Sequence, residues 1–96
     1  MKITKVSYLK EYLLEVTFYN GKVIQADFTD FLKKAVHPCG VKYRDKKLFA
    51  GVKVQYGFLC WGNGEMEISG ESIYKGEFSP KAKGFSYKRK RTLNPA

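Results

Sequence analysis

The chain has 96 residues, 44% hydrophobic and 16% aromatic, enough for one small domain near the lower limit of a self-sufficient core. This composition excludes an intrinsically disordered chain, and no apolar run approaches the roughly 18 residues that a membrane-spanning helix needs. The formal net charge is +9 and unevenly placed, because residues 75–96 carry seven Lys or Arg against Glu77 alone.

Met1-Lys2-Ile3-Thr4-Lys5 runs straight into strand-like sequence without the layout of a signal peptide, which points to the cytoplasm. Cys39 and Cys60 suit that compartment as free thiols, since their spacing matches no zinc or redox motif. In chain order, Ile3 to Leu9 reads as a first strand and Lys10-Glu11 as a tight turn. Tyr12 to Phe18 alternates, with Leu14, Val16 and Phe18 on one face. Asn20-Gly21 predicts a two-residue hairpin turn with φ > 0 at both positions. Val23 to Asp27 returns, with Ile24, Ala26 and Phe28 sharing a face, and completes a three-stranded meander.

The period then changes. Phe28, Phe31, Leu32, Ala35 and Val36 recur at helical spacing, with Thr29 as N-cap and Asp30 in the first turn, where the dipole favours a carboxylate. His37-Pro38-Cys39-Gly40 is read as the stop, and Asp45 caps a second helical turn over Lys46 to Phe49 that Gly51 ends. Val52–Gln55 and Phe58–Trp61 form two strands around a Tyr56-Gly57 turn. Asn63-Gly64 turns the chain into Met66-Glu67-Ile68, and Ser72-Ile73-Tyr74 closes the domain. The fold class is α+β: a small antiparallel sheet, made of the meander and the later strands, with one or two short helices. Residues 1–74 form the domain and residues 75–96 a basic extension.

Catalysis needs a convergent set of groups, and the sequence offers little of that kind. His37 is the only histidine and reads as a helix-terminal or surface residue; Cys39 lacks an activating neighbour. Cys60 reads as packed within the sheet. Glu65 and Glu67 share one strand face, the spacing of a carboxylate pair, but such pairs more often balance nearby lysines. No metal motif, phosphate loop or dinucleotide fingerprint is present, so neither cofactor nor metal is expected and the chain is not read as an enzyme.

The extension points elsewhere. Lys81, Lys83, Lys88, Arg89, Lys90 and Arg91 neutralise phosphates, and Phe85 and Tyr87 among them can stack on unpaired bases. The competing reading is a solvated tail. Membrane attachment is not expected, because the run lacks helical amphipathicity and an acylation signal.

Lys2-Ile3-Thr4-Lys5-Val6, Tyr19-Asn20-Gly21-Lys22-Val23, Asp27-Phe28-Thr29 and Arg44 to Val54 recur in order with Trp61-Gly62-Asn63-Gly64, Ile68-Ser69 and Ile73-Tyr74. Together they resemble the small bacterial family of domain of unknown function 2442, over about residues 1–74. Its structural signature falls on Trp61, Asn63, Gly64, Ile68 and Tyr74. Gly62 and Gly70 stand where proline is common in the family, and one extra residue lies between Gly64 and Ile68. The resemblance implies an α+β domain with a small antiparallel sheet, often encoded beside another small protein in an arrangement similar to toxin–antitoxin pairs. Some members carry a helix-turn-helix domain that this sequence lacks, and the family supplies no catalytic residues.

Two functions follow as expectations. One is a non-enzymatic, antitoxin-like regulatory module that binds a small protein, with the adjacent gene's product as the candidate, through a sheet edge or through Tyr8, Tyr12, Tyr19 and Tyr56. The other is a nucleic-acid binder that uses the basic extension.

Overall fold

The computed structural model describes residues 1–76 and the backbone of 85–87, and among these residues seven strands form two antiparallel sheets accompanied by four short helices. The first sheet is the expected meander of β1 (Ile3–Lys10), β2 (Leu13–Phe18) and β3 (Val23–Asp27), with β2 in the middle. Leu14 pairs with Tyr8 and Ala26, and Val16 with Val6 and Ile24. Leu14, Val16 and Phe18 are all buried, as a period-two pattern with one face on the core requires.

The β2–β3 turn takes a different form from the one the Asn-Gly pair predicts. Only Gly21 has positive φ, at 88°, and the Phe18 amide donates to the Lys22 carbonyl across a three-residue loop. This is the type I turn with a glycine bulge. The Asn20 side chain stabilises it by accepting from the Lys22 amide at 3.1 Å, so asparagine serves as an acceptor here and not as a left-handed residue.

Helix α1 (Thr29–Lys34) begins where the apolar period predicts, but Thr29 is not its cap. The Asp27 carboxylate accepts from both the Thr29 amide, at 2.9 Å, and its hydroxyl, at 2.6 Å. Those bonds, the hydroxyl's first, hold the Asp27 carboxyl below its ordinary value. The helix ends at Lys34, so Val36 falls outside the apolar stripe and is 90% exposed, contrary to expectation. The Arg44 guanidinium closes this end by donating to the carbonyls of Leu32, Lys33 and Ala35 at 2.7–3.0 Å. A cation there also complements the helix dipole.

The 37–40 segment, expected to stop α1, lies beyond that helix's end at Lys34 and instead starts α2 (Pro38–Lys42), with Pro38 in the first turn and His37 as N-cap. Helix α3 (Lys46–Phe49) is capped by Asp45 as expected, its carboxylate accepting from the amides of Lys47 and Leu48. The second sheet runs β4 (Lys53–Gln55), β5 (Phe58–Trp61), β6 (Met66–Ile68) and β7 (Phe85–Tyr87) in that order. After β6 the described chain forms helix α4 (Gly70–Lys75), which takes in the Ser72-Ile73-Tyr74 segment expected to close the domain and for which no helix is expected. Its Ser69 hydroxyl accepts from the Ser72 amide, and Gly76 ends it with φ of 74°.

The sheets and helices close over one aromatic core. Trp61 stacks on Phe49 with ring centroids 5.7 Å apart, and Phe28 meets both rings. The Trp61 indole N–H donates to the Phe49 carbonyl at 2.9 Å, tying β5 to the end of α3. Burying side chains of this size contributes about 1.5–3 kcal/mol each. Such anchoring is what a helix of a single turn requires, since it has no stability of its own.

Candidate functional site

Two surface features are built by this frame. The first is an open groove of about 480 Å³ where α2, α3 and the β5–β6 turn meet. Lys42 and Tyr43 come from the end of α2, Lys47 and Leu48 from α3, and Asn63 and Glu65 from the turn. The Tyr43 hydroxyl donates to Glu65 Oε1 at 2.7 Å, and the Lys42 ammonium donates to the same oxygen at 2.8 Å. Burial, then the hydrogen bond to Glu65, pushes the Tyr43 phenol far above its ordinary value.

Gly62 keeps this junction closed. Its φ is +64°, and a Cβ there would lie 2.7 Å from the Tyr43 hydroxyl and 2.8 Å from Glu65 Oε1. A proline, whose φ is fixed near −65°, cannot occupy that backbone conformation. The glycine that departs from the family pattern is therefore what lets this turn present Glu65 to Tyr43. Among the described residues Lys47 has no carboxylate partner, and Leu48 beside it is 41% exposed. The groove is thus cationic at its rim with an apolar side chain in reach.

The second feature lies where two hairpin tips converge. The Tyr19 amide donates to the Lys2 carbonyl, and the Ile3 amide to the Gly57 carbonyl, both at 3.0 Å. Residues 2 and 3 therefore run between the β2–β3 and β4–β5 tips. At the second tip Tyr56 and Gly57 both have positive φ, 54° and 82°. This is the primed-turn geometry predicted for the Asn-Gly pair and found instead at Tyr-Gly. A tyrosine held there costs about 1–2 kcal/mol relative to glycine. Its side chain buries almost nothing, since Tyr56 is 90% exposed, and Tyr19 is 67% exposed.

The residues singled out from the sequence are distributed unevenly over these features. Tyr12 is not a free surface ring: it packs edge-on against Phe49 and donates its hydroxyl to the Arg44 carbonyl. Tyr8 also leans on Phe49. Glu65 lies in the turn before β6 and not on a strand face with Glu67, whose carboxylate stands 4.0 Å from the Cys60 sulfur. His37 Nδ1 accepts from the Cys39 amide at 3.1 Å, a capping contact. Cys60 is buried in the sheet, as expected, and both cysteines are free thiols. No group of three His, Cys, Asp or Glu among the described residues is arranged to hold a metal.

Of the signature residues, Trp61 and Ile68 lie in the core, and Asn63 and Gly64 shape the turn at the groove. Tyr74 packs edge-on against Phe18, with the Lys22 ammonium 4.8 Å from its ring centre. Lys81, Lys83, Lys88, Arg89, Lys90 and Arg91 lie outside the described residues, and Phe85 and Tyr87 are placed only as backbone of β7. The groove residues Lys42 and Tyr43 escaped the sequence reading because Gly40 to Asp45 shows no period, and Lys47, placed in the Lys46 to Phe49 turn, because nothing in the sequence sets it apart from Lys46. The one available signal was glycine at position 62, three residues before Glu65.

The family model described as "Protein of unknown function (DUF2442)" matches residues 3–79. The chain belongs to the DUF2442 family. That match covers both sheets' described strands except β7, and it includes the groove and the two hairpin tips. No curated protein and no solved structure matches the chain. No helix among the described residues is long and apolar enough to cross a membrane.

Proposed function

We propose that this DUF2442 protein is a non-enzymatic binding module that docks an acidic segment of a small protein partner in the groove between α3 and the β5–β6 turn. The observation that carries this reading is the Lys47 ammonium, without a carboxylate partner among the described residues, beside exposed Leu48 in a groove of about 480 Å³. Cations flanking an apolar contact suit a partner segment that alternates carboxylates with an aliphatic or aromatic anchor. Glu65 sits in the same groove, but its Oε1 already accepts from Lys42 and Tyr43. The family's resemblance to paired small-protein operons supplies the partner to try first, the product of the adjacent gene. Its complex with the full-length chain is measured by co-expression and calorimetry. Replacing Lys47→Glu together with Leu48→Asp is expected to weaken it at least tenfold without changing the melting temperature by more than a few degrees. A complex that survives both substitutions contradicts the groove.

A second reading, nucleic-acid binding by Lys81, Lys83 and Lys88 to Arg91, is favoured by the concentration of cations in residues 75–96. Affinity that falls steeply with salt and is insensitive to sequence supports it, and salt-independent binding contradicts it.

A further inference from the structure

We propose that the two convergent hairpin tips form a stacking platform for single-stranded nucleic acid, with Tyr19 and Tyr56 receiving bases and Lys2 between them meeting the backbone phosphates. The platform lies within the described domain and rests neither on the groove nor on the basic extension.

Three independent observations carry it. The first is placement. Lys2 and Ile3 are hydrogen-bonded to Tyr19 on one side and to Gly57 on the other. The tips thus flank one strand and stand about two strand spacings, roughly 10 Å, apart. The Lys2 side chain lies against Gly57, where an added Cβ would come within 2.5 Å of its Cγ, so the lysine is held between the two tips.

The second is conformation. Tyr56 occupies a left-handed position that asparagine or glycine takes with less strain, and the chain has Asn-Gly at two other turns. The aromatic ring does not repay its strain by packing, since Tyr56 is 90% exposed. A strained residue whose side chain stands in water points to a role on the surface.

The third is charge. Segments 1–3, 18–23 and 53–58 contain Lys2, Lys22 and Lys53 and no acidic residue. Beside these segments, among the described residues, Glu71 pairs with the terminal amine of Met1 at 3.6 Å. Exposed aromatic rings interleaved with cations, on segments that themselves carry no carboxylate, is the arrangement that binds unpaired bases in a sequence-tolerant way. An acidic protein segment would use the lysines but leave both rings without a planar partner.

The test uses the full-length chain and fluorescein-labelled oligonucleotides of about 15 thymidines or uridines, followed by anisotropy, beside a duplex of similar length. Tyr19→Ala and Tyr56→Asn are each expected to weaken single-strand binding roughly tenfold. Neither alters duplex binding, whose bases are already stacked. Lys2→Gln lowers the slope of log affinity against log salt by about 0.7, the value for one phosphate contact on a single strand. Thermal melts confirm that each variant is folded. Single-strand affinity unchanged in the tyrosine double variant overturns the proposal, as does an equal loss for duplex. Loss of a protein complex with oligonucleotide binding intact also overturns it and assigns the tips to a protein.

Discussion

The groove and the hairpin tips sit on one small domain but are built on opposite plans. In the groove, Tyr43, Lys42 and Glu65 satisfy one another: Glu65 accepts from the other two, and Gly62 leaves the room for it. At the tips, Tyr19 and Tyr56 stand in water, and one of them is held in an unfavourable backbone conformation. Removing a buried partner exposes an uncompensated group, whereas removing an exposed, strained one relieves the fold. Substitutions in the two regions should therefore move stability in opposite directions.

The largest effect belongs to the frame that holds the groove open. Trp61→Ala removes the ring stacked on Phe49 and the hydrogen bond that ties β5 to α3. A loss of about 3–5 kcal/mol is expected, a large share of a small domain's stability, read from urea denaturation by circular dichroism. Gly62→Ala comes next. It combines a left-handed backbone with a Cβ driven onto Tyr43 and Glu65, and should cost about 2 kcal/mol in the same measurement.

Tyr43 gives the comparison a pH dependence. Its folded-state value is raised above the unfolded one near 10, so its contribution is fully present below pH 10 and is lost as pH rises further. Stability of the wild-type protein should fall above pH 10 more steeply than that of Tyr43→Phe. In a spectrophotometric titration at least one of the seven tyrosines should ionise only as the chain unfolds. The smallest effect has the opposite sign. Tyr56→Asn should stabilise the protein by about 1 kcal/mol, raising the melting temperature by several degrees, because asparagine accepts the left-handed conformation more readily. A destabilised Tyr56→Asn would erase the distinction between the two regions.

Much of the fold was legible because it follows simple periods. The alternation of Leu14, Val16 and Phe18 placed the central strand of the meander, and Asp45 announced α3 by its capping chemistry. The misses share a physical cause, which is that short elements are decided by tertiary contacts. Helix α4 carries both a Ser69 cap and a Gly76 stop, but its six residues offer too little apolar period to be read as a helix. Helix α2 was hidden because Pro38 reads as a helix stop, whereas it occupies the first turn of a new helix three residues beyond the Ala35 C-cap of α1. Turn geometry followed neither Asn-Gly pair: Asn20 and Asn63 keep negative φ, while Tyr56 takes the left-handed position. Neither feature of the candidate site could be assembled from the sequence. The groove joins residues more than 20 positions apart, and the tips meet only through Lys2 and Ile3.

The most direct test of the division of labour places a photo-crosslinking amino acid at Leu48 in one variant of the full-length chain and at Tyr56 in another, each activated in the native host. The account predicts that Leu48 attaches to a single small protein within an acidic segment, located by mass spectrometry, and that Tyr56 attaches to nucleic acid. Adducts of the same kind at both positions, or a Leu48 adduct lying in a basic or purely apolar segment, would contradict it.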